Sequence, residues 1–339
     1  MREPGFWWRK AGLASALLSP LAAGYGAIAA RRMARAGARA GVPVICIGNF
    51  TLGGAGKTPA AIAIARMLRE RGERVFFLTR GYGGSASGPK LVDAAADRAD
   101  VVGDEALLLA RVAPTVVAHD RVAGANAAKA HGAQLILMDD GLQNGSLDKD
   151  FTLAVIDGRR GIGNARVFPA GPLRAPLAVQ LARISALLVV GDGDGAGEVV
   201  AAAAHRGIPV WHSRLAPHHE TAGAIARPVL AFAGIGDPDK FFATAEEAGL
   251  AIAQRRTFPD HHCFTAEEGA ELLMAADRDA LALLTTEKDH ARMTADPALA
   301  GLAQRAHVLP VTMQIDEMTE LQAALKRPSA ASAPSSRLS

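Results

Sequence analysis

One stretch of the chain decides the fold, the glycine-rich run Thr51-Leu52-Gly53-Gly54-Ala55-Gly56-Lys57-Thr58. It matches the phosphate-binding loop G-x-x-x-x-G-K-S/T, except that Thr51 replaces the first glycine. An apolar run at residues 42–47 precedes it and a helical pattern at residues 58–71 follows it, which is the strand–loop–helix setting that the motif requires. Because such a loop and helix N-terminus hold phosphate oxygens, we predict that all eight residues bind a nucleoside triphosphate.

The metal-side residues of such a site follow from two places in the chain. Lys57 is expected to reach the β- and γ-phosphates, and the Thr58 hydroxyl to ligate Mg²⁺. A second apolar run, residues 135–138, ends in Asp139 and Asp140. A buried strand that ends in an acid brings a carboxylate to the metal or to its waters. We therefore predict a Mg²⁺ site at Thr58, Asp139 and Asp140, and the sequence leaves open which aspartate faces the metal.

The choice of nucleotide is partly readable. A guanine-specific loop carries Asn/Thr-Lys-x-Asp, and the nearest string in this chain is Thr286-Glu287-Lys288-Asp289. It does not match, because Lys288 and Asp289 are adjacent. The sequence therefore favours ATP.

The remaining pattern predicts an α/β fold built on a mostly parallel sheet. Short apolar runs alternate with Ala-rich helical stretches, as expected for strands covered on both faces by helices. The predicted strands of the large sheet are residues 42–47, 75–78, 115–118, 135–138, 153–156 and 187–190. A second, smaller α/β unit is expected to begin near residue 227, with strands at 229–233 and 281–284 and a last strand at 307–311. We predict four segments: a membrane-associating segment at 1–35, a P-loop domain at 36–226, a C-terminal domain at 227–326 and a disordered, Ser/Ala/Pro-rich tail at 327–339.

The N-terminal segment has a membrane-like composition. Residues 11–30 carry no charge, and Trp, Arg and Lys residues flank them. Length and flanks favour a helix in the membrane interface. The stretch is rich in Ala and Gly and contains Pro20, so a helix packed on the domain, a true span and a signal peptide stay open as alternatives.

Bulk composition excludes other classes. The net charge of +3 gives no reason to expect nucleic acid as a partner, and nothing in the sequence implies an obligate protein partner. The chain has two cysteines, Cys46 and Cys263, far apart in sequence. They suggest neither a disulfide framework nor a cysteine-based zinc site.

Three polar clusters remain to be explained, at residues 79–84, 103–105 and 260–262. The first follows a strand and so lies at the sheet edge where α/β proteins bind ligands. Asp104 and Glu105 begin a helix, where capping alone is an alternative explanation. Asp260, His261 and His262 could hold a metal, but a histidine–carboxylate pair for proton transfer is favoured.

Taken together and in order, these motifs resemble the tetraacyldisaccharide 4′-kinase family, over roughly residues 1–325. The motifs that carry the resemblance are Gly48-Asn49, Gly56-Lys57-Thr58-Pro59, Thr79-Arg80-Gly81-Tyr82-Gly83-Gly84, Gly103-Asp104-Glu105, Asp139-Asp140-Gly141-Leu142-Gln143, Phe168-Pro169-Ala170-Gly171-Pro172-Leu173-Arg174, Phe258-Pro259-Asp260-His261 and Thr285-Thr286-Glu287-Lys288-Asp289.

The resemblance implies a function and a place for it. It implies phosphorylation, by ATP, of the 4′-hydroxyl of an acylated glucosamine disaccharide 1-phosphate to give lipid IVA. The reaction is expected to take place at the cytoplasmic face of the bacterial inner membrane, with the protein bound as a peripheral or monotopic membrane protein. The partners implied are thus the lipid substrate and the membrane surface, and the active site is expected between the two domains.

The resemblance also implies residue roles. Asp104 is expected as the catalytic base for the sugar hydroxyl, with His261 tuning or relaying the proton, and Glu105 and Arg121 as substrate contacts. The sequence departs from the family at Ala175, where a Glu associated with the metal site is usual. It departs again at Asn144, where His is common.

Two other functions stay as alternatives. A P-loop ATPase switch would drive a protein partner without a small-molecule acceptor, and a non-enzymatic membrane protein would only bind the nucleotide. A switch would have no need of Asp104 and His261, which favours the kinase.

Overall fold

The computed structural model describes residues 3–294 and 296–326, so the predicted tail at 327–339 lies outside the described residues. The strands are β1 (Val44–Asn49), β2 (Val75–Thr79), β3 (Lys90–Leu91), β4 (Thr115–Val117), β5 (Leu135–Asp139), β6 (Phe151–Asp157), β7 (Ala186–Val190), β8 (Val210–Pro217), β9 (Val229–Ala233), β10 (Ile252–Thr257), β11 (Ala282–Thr285), β12 (Ala306–Val308) and β13 (Val311–Ile315). The helices are α1 (Leu13–Met33), α2 (Lys57–Glu70), α3 (Ala99–Val102), α4 (Asp104–Ala110), α5 (Arg121–Ala130), α6 (Leu177–Leu181), α7 (Gly197–Ala204), α8 (His219–Gly223), α9 (Pro238–Glu247), α10 (Ala266–Arg278), α11 (Glu287–Thr294), α12 (Ala300–Arg305) and α13 (Met318–Lys326). Short 3-10 turns lie at Gly5–Trp8 and Pro297–Leu299.

Nine strands form the large sheet, in the order β13-β8-β7-β6-β1-β5-β2-β4-β3. It is parallel except at its two ends, where β13 pairs antiparallel with β8 and β3 pairs antiparallel with β4. The glycine-rich loop follows the central strand β1, and the acidic pair follows β5, its neighbour. Since parallel strands end at the same edge, this order brings the two predicted halves of the nucleotide site together.

Both faces of this sheet are buried, which explains its continuous apolar strands. On β1, Ile45 and Ile47 pack on the side of α2, while Val44 and Cys46 pack on the side of α5. Alternate side chains of a strand point to opposite faces, so a strand between two helical layers must be apolar at every position. The mostly parallel sheet with helices on both faces confirms the predicted fold class.

A second sheet has four strands in the order β10-β9-β11-β12, and all its pairs are parallel. Its two apolar clusters lie on opposite faces, around Phe232 on one side and Phe242 on the other. The two sheets thus have separate cores.

Sheet pairing differs from the sequence prediction at the C-terminal end. A single last strand at 307–311 was expected in the smaller unit, and this is wrong. The segment forms two strands, β12 in the small sheet and β13 on the edge of the large one. Helix α13 then packs through Leu321 on the large core. The chain therefore leaves the large sheet after β8 and returns to it at β13.

Helix α1 lies against the large unit with one side and exposes the other. Ser15, Ala22 and Gly26 are on the docked side, where Ser15 Oγ donates to the Ala170 carbonyl at 2.9 Å. The exposed side carries large apolar side chains, which are Leu13, Leu17, Leu21, Tyr25 and Ile28. Leu13 and Leu17 are 79% and 73% exposed. Among the described residues, α1 is the helix long and apolar enough to cross a membrane, but length and composition do not separate a span from an interfacial helix.

Candidate active site

The phosphate loop has the backbone shape that its glycines permit. Gly53 and Gly56 have φ of 94° and 90°, values that favour glycine, and Gly56 leads directly into α2. Thr51, by contrast, is not among the described residues with positive φ. Its backbone forms an antiparallel bridge with Leu173. A glycine is therefore not needed at the first position of this loop.

The base of the loop is braced by the segment that precedes α6. Arg174 Nε donates to the Thr51 carbonyl at 2.8 Å, and the buried Asn49 amide donates to the same carbonyl at 2.8 Å. The Leu52 N–H donates to the Pro172 carbonyl at 2.8 Å. The motif at 168–174 thus supports the phosphate loop on one side, and through Ala170 it receives α1 on the other.

Two cations hold the second aspartate of the acidic pair. Asp140 Oδ1 lies 2.7 Å from Arg174 Nη1 and 3.7 Å from Lys57 Nζ. Burial alone would raise the pKa of Asp140, but the Lys57 and Arg174 charges outweigh it and keep that pKa well below its usual range. Asp140 is therefore an ionised carboxylate that pairs with Lys57 and Arg174.

The first aspartate has the opposite environment. Asp139 is 1% exposed, and neither of its carboxylate oxygens has a hydrogen-bond partner among the described residues. Burial, followed by the nearby Glu105 and Asp140 charges, raises the pKa of Asp139 to about 7. A buried carboxylate without a partner is costly, so this position calls for a cation.

The structure brings together the predicted proton-transfer pair. Asp104 Oδ2 lies 3.4 Å from His261 Nδ1, although one residue begins α4 and the other follows β10 in the smaller unit. Asp104 is 4% exposed. Burial alone would raise its pKa, but the His261 hydrogen bond and the Arg292 guanidinium hold that pKa well below its ordinary value. His261 has a positive φ of 55° and its ring contacts that of Tyr82.

Close backbone packing fixes where Asp104 sits. A Cβ on Gly81 would lie 2.7 Å from the Val102 carbonyl oxygen, and one on Gly103 would lie 2.6 Å from the Tyr82 carbonyl oxygen. Both residues also have positive φ. The loop at 79–84 therefore packs directly on the turn before α4, and only glycine fits at these two positions.

His262 does not share the site with His261. Its Nε2 lies 2.8 Å from Glu268 Oε2, and its ring stacks on Phe258. Glu268 belongs to the capping box that Thr265 begins, in which the Thr265 N–H donates to Glu268 at 2.9 Å. His262 is thus part of the start of α10. Among the described residues, no group of three or more His, Cys, Asp or Glu side chains could hold a metal ion by itself.

Glu105 and Arg121, expected as substrate contacts, both border the acidic pair. Glu105 Oε1 lies 2.6 Å from Lys288 Nζ on α11. Burial would raise the pKa of Glu105, but the Lys288 charge outweighs it and lowers that pKa. Arg121 is 3% exposed and donates to the Ala118 carbonyl, and its Nε has no hydrogen-bond partner among the described residues. Their role toward a substrate stays a prediction.

A single large cavity joins these groups, with a volume of about 1500 Å³. It is lined by the phosphate loop, by α1 and by the smaller unit, and the polar groups that reach it include Lys57, Thr58, Glu105, Arg121, Asp140, Arg174, His261 and Lys288. His261 lines the cavity, whereas Asp104, whose Oδ2 is 3.4 Å from His261 Nδ1, does not. The cavity is polar at the loop, and α1 contributes Leu18, Tyr25, Ile28 and Ala29 to its lining together with Arg32.

Ala175 stands where the sequence comparison expected a Glu. It is fully buried in an apolar cluster with Phe50 and Leu142, and its carbonyl accepts from Gln180 Nε2 at 2.7 Å. The neighbouring Arg174 is the member of this run that reaches the acidic pair. At this position the chain therefore contributes no carboxylate to the site.

Comparison with known proteins decides the family. Residues 14–329 match the family described as Tetraacyldisaccharide-1-P 4′-kinase. The chain belongs to this family.

Similar proteins support the assignment along the whole chain. A tetraacyldisaccharide 4′-kinase of Rhodopseudomonas palustris (strain BisB18) is 54% identical over 323 residues, covering 95% of this chain and 94% of the relative. One of Methylobacterium sp. (strain 4-46) is 56% identical over 312 residues, covering 91% and 94%. A crystal structure described as "apo" form LpxK from Aquifex aeolicus in complex with ATP has a TM-score of 0.72 and 24% identity. It covers 94% of this chain and 100% of that chain, and at this identity it shows the shared fold.

These findings confirm the resemblance and the enzyme class, a kinase, and favour it over an ATPase switch. Sequence reasoning assigned no role to four residues that the structure places in or against the site. They are Asn49, Arg174, Lys288 and Arg292. Three of them, Asn49, Arg174 and Lys288, lie inside quoted motifs, so the signal was present. The acidic partners of Arg174 and Lys288 are distant in sequence, whereas Asn49 donates to Thr51, two residues further along the chain.

Proposed function

We propose that this chain transfers the γ-phosphate of ATP to the 4′-hydroxyl of a tetraacyl glucosamine disaccharide 1-phosphate, giving lipid IVA. The observation that carries the proposal is one cavity that combines a phosphate loop, a His–Asp pair and an apolar wall. A nucleotide-driven switch has no use for the last two. The names of the relatives supply the acceptor, and the cavity supplies room for it.

Mg²⁺ fits the residues present. Asp139 offers two buried carboxylate oxygens that have no hydrogen-bond partner in the part of the chain that the structure describes, and Thr58 is a buried hydroxyl at the start of α2. Mg²⁺ in such sites is held by one or two carboxylates together with substrate phosphates and water, so no all-protein cage is needed. We propose that Asp139 faces the metal, since Asp140 is held by Lys57 and Arg174. When bound, the metal would neutralise charge on the phosphates.

The chain's own residues divide the remaining work. Lys57 and Arg174 present positive charge where the transferred phosphoryl group develops negative charge. The Asp104–His261 pair takes up the proton of the acceptor hydroxyl, and His261, which lines the cavity, is its member nearest to an entering sugar. Phosphoryl transfer depends mostly on positioning and charge neutralisation, so an ionised, well-oriented Asp104 suffices as a partner.

We also propose that the protein works on the cytoplasmic face of the bacterial inner membrane, without an obligate protein partner. The exposed apolar side of α1 supports a helix that lies in the interface. Arg9 and Lys10 before it and Arg31, Arg32 and Arg35 at its end suit anionic headgroups.

The test uses the full chain in mixed micelles with ATP, Mg²⁺ and the tetraacyl disaccharide 1-phosphate. We expect a product one phosphate heavier, and no product from an analogue that lacks the 4′-hydroxyl. Asp104→Asn and His261→Gln should lower kcat far more than they change KM for ATP. ATP turnover without a lipid product would contradict the proposal, as would full activity of Asp104→Asn for the role of the pair.

A further inference from the structure

One cation on α11 connects both members of the proton-transfer pair. Arg292 Nε donates to Asp104 Oδ2 at 2.8 Å, and its Nη2 donates to the same oxygen. Arg292 Nη1 donates to the Gly234 carbonyl at 2.9 Å. That carbonyl also accepts the backbone N–H of His261 at 3.0 Å. A single guanidinium thus contacts the carboxylate of one partner and the main-chain anchor of the other.

The guanidinium itself is fixed from behind. Asp289, which is fully buried, places Oδ1 2.6 Å from Arg292 Nη1. Its Oδ2 accepts from Thr286 Oγ1 at 2.7 Å and from the Gly234 N–H at 3.0 Å. Asp289 and the loop at Gly234 therefore leave Arg292 one orientation, with its remaining donors aimed across the interface between the two units.

The ion pair between Arg292 and Asp104 fixes the geometry of the site more than it stabilises the fold. The side chains of Arg292 and Asp104 are only 7% and 3% exposed, so their ion pair is shielded from water. A buried ion pair repays its desolvation poorly as a source of stability, whereas it fixes geometry well. Asp104 begins a helix of the large unit, while His261 and Arg292 belong to the smaller one. The 3.4 Å approach of Asp104 to His261 therefore depends on a contact that spans the interface.

We propose that Arg292 is a positioning residue for phosphoryl transfer, which holds the Asp104 carboxylate in register with His261. The inference rests on the proposed role of the Asp104–His261 pair. Arg292 acts through Asp104 and is not assigned a contact with the nucleotide or the lipid. Lysine cannot replace it fully, because one ammonium does not span Asp104, Asp289 and the Gly234 carbonyl with fixed fork geometry.

The experiment measures steady-state kinetics of Arg292→Met in the full-length protein. We expect kcat to fall about 100-fold, the cost typical of a misplaced catalytic group, with KM for ATP changed less than threefold. The matched control is Arg305→Met, since Arg305 pairs with Asp277 on the exposed surface of the same unit. The control should keep full activity.

Two further variants separate positioning from a structural role. Guanidinium ion at millimolar concentration should restore part of the activity of Arg292→Ala. Combining Arg292→Met with Asp104→Asn should cost no more than Asp104→Asn alone, because both changes remove the same function. Should Arg292→Met fail to fold, Arg292→Lys carries the test, with an expected drop of about tenfold in kcat, half that of Met on a logarithmic scale.

The results that would overturn the positioning role of Arg292 differ from those that would overturn the proton-transfer role of Asp104 and His261. Normal kcat in Arg292→Met or Arg292→Lys, or a loss confined to KM for ATP, removes the positioning role and leaves the pair intact. Independent, multiplying losses in the double variant do the same. Full activity of Asp104→Asn instead removes the pair, and the positioning role falls with it.

Discussion

Asp139→Asn should make the metal-free protein more stable at alkaline pH than the unchanged chain while abolishing its activity. The carboxylate is buried and has no hydrogen-bond partner within residues 3–294 and 296–326, and its pKa is raised to about 7 from an ordinary 3.8. A group whose pKa is higher in the folded than in the unfolded chain adds to the free energy of unfolding at pH values below the unfolded pKa. That added stability is lost as the pH rises through the folded pKa. Asparagine has the same shape and carries no charge, so it escapes this loss.

The magnitude follows from the two pKa values. Between about pH 4 and pH 7 the folded chain keeps a proton that the unfolded chain has released. Its free energy of unfolding therefore falls by about 1.36 kcal/mol for each pH unit. Over about three pH units this gives an upper limit of about 4 kcal/mol, of which about 3 kcal/mol falls between pH 5 and pH 8. In a chain of this size, each kcal/mol of stability lost lowers Tm by roughly 2 °C. The cost of burying an amide is the same at every pH and cancels when pH 5 is compared with pH 8.

The assay is urea unfolding at pH 5 and pH 8, in buffer with a chelator, for the unchanged chain and for Asp139→Asn. We expect the stability of the variant relative to the unchanged chain to rise between the two pH values. Asp140→Asn is the matched control on the neighbouring residue, whose pKa is held low by Lys57 and Arg174. That variant should gain less than Asp139→Asn between pH 5 and pH 8, because it removes only the contribution of the Asp140 charge to the raised pKa of Asp139. Parallel pH profiles for Asp139→Asn and the unchanged chain would refute the reasoning.

Three further outcomes are expected. Leu17→Glu with Leu21→Glu should weaken co-sedimentation with anionic vesicles by more than 100-fold, because burial of each leucine contributes about 1.5–3 kcal/mol; unchanged partition would place the anchor elsewhere. Lys57→Met should reduce kcat at least 100-fold with the fold intact by circular dichroism, and retained turnover would contradict its role at the phosphates. Thr265→Ala should lower the free energy of unfolding by about 1 kcal/mol in urea titration, since it removes the capping box of α10; an equal midpoint would show that the cap contributes nothing.

The local sequence pattern predicted most strands of the large sheet and the phosphate loop. Buried parallel strands are apolar at every position, so β1, β5 and β7 stand out as continuous runs. The strands β8 and β10 were not predicted because they lie near sheet edges and are partly polar. The β10 strand, residues 252–257, contains Gln254, Arg255 and Arg256. An edge strand exposes much of its surface, which removes the apolar pattern that identifies its neighbours.

The electrostatics of the site were the part that sequence could not supply. Asp139 and Asp140 are adjacent and chemically identical, yet one has a raised pKa and the other a lowered one. The difference comes from Lys57 and Arg174, which both pair with Asp140, and Arg174 is 34 residues from Asp140 in sequence. Adjacent residues on a strand end point in different directions, so distant partners decide their protonation.

The position of α1 relative to the cavity explains how one enzyme can join a soluble nucleotide to a membrane lipid. Tyr25 and Ile28 belong both to the exposed apolar side of the helix and to the lining of the cavity. The apolar surface that we assign to the membrane is therefore continuous with the cavity wall. Removing acyl chains from the bilayer costs about 0.8 kcal/mol for each methylene, so a tetraacyl acceptor cannot leave it. We propose that the sugar enters beside α1 toward His261 while the acyl chains stay in the membrane, and that ATP binds at the phosphate loop in the polar part of the cavity.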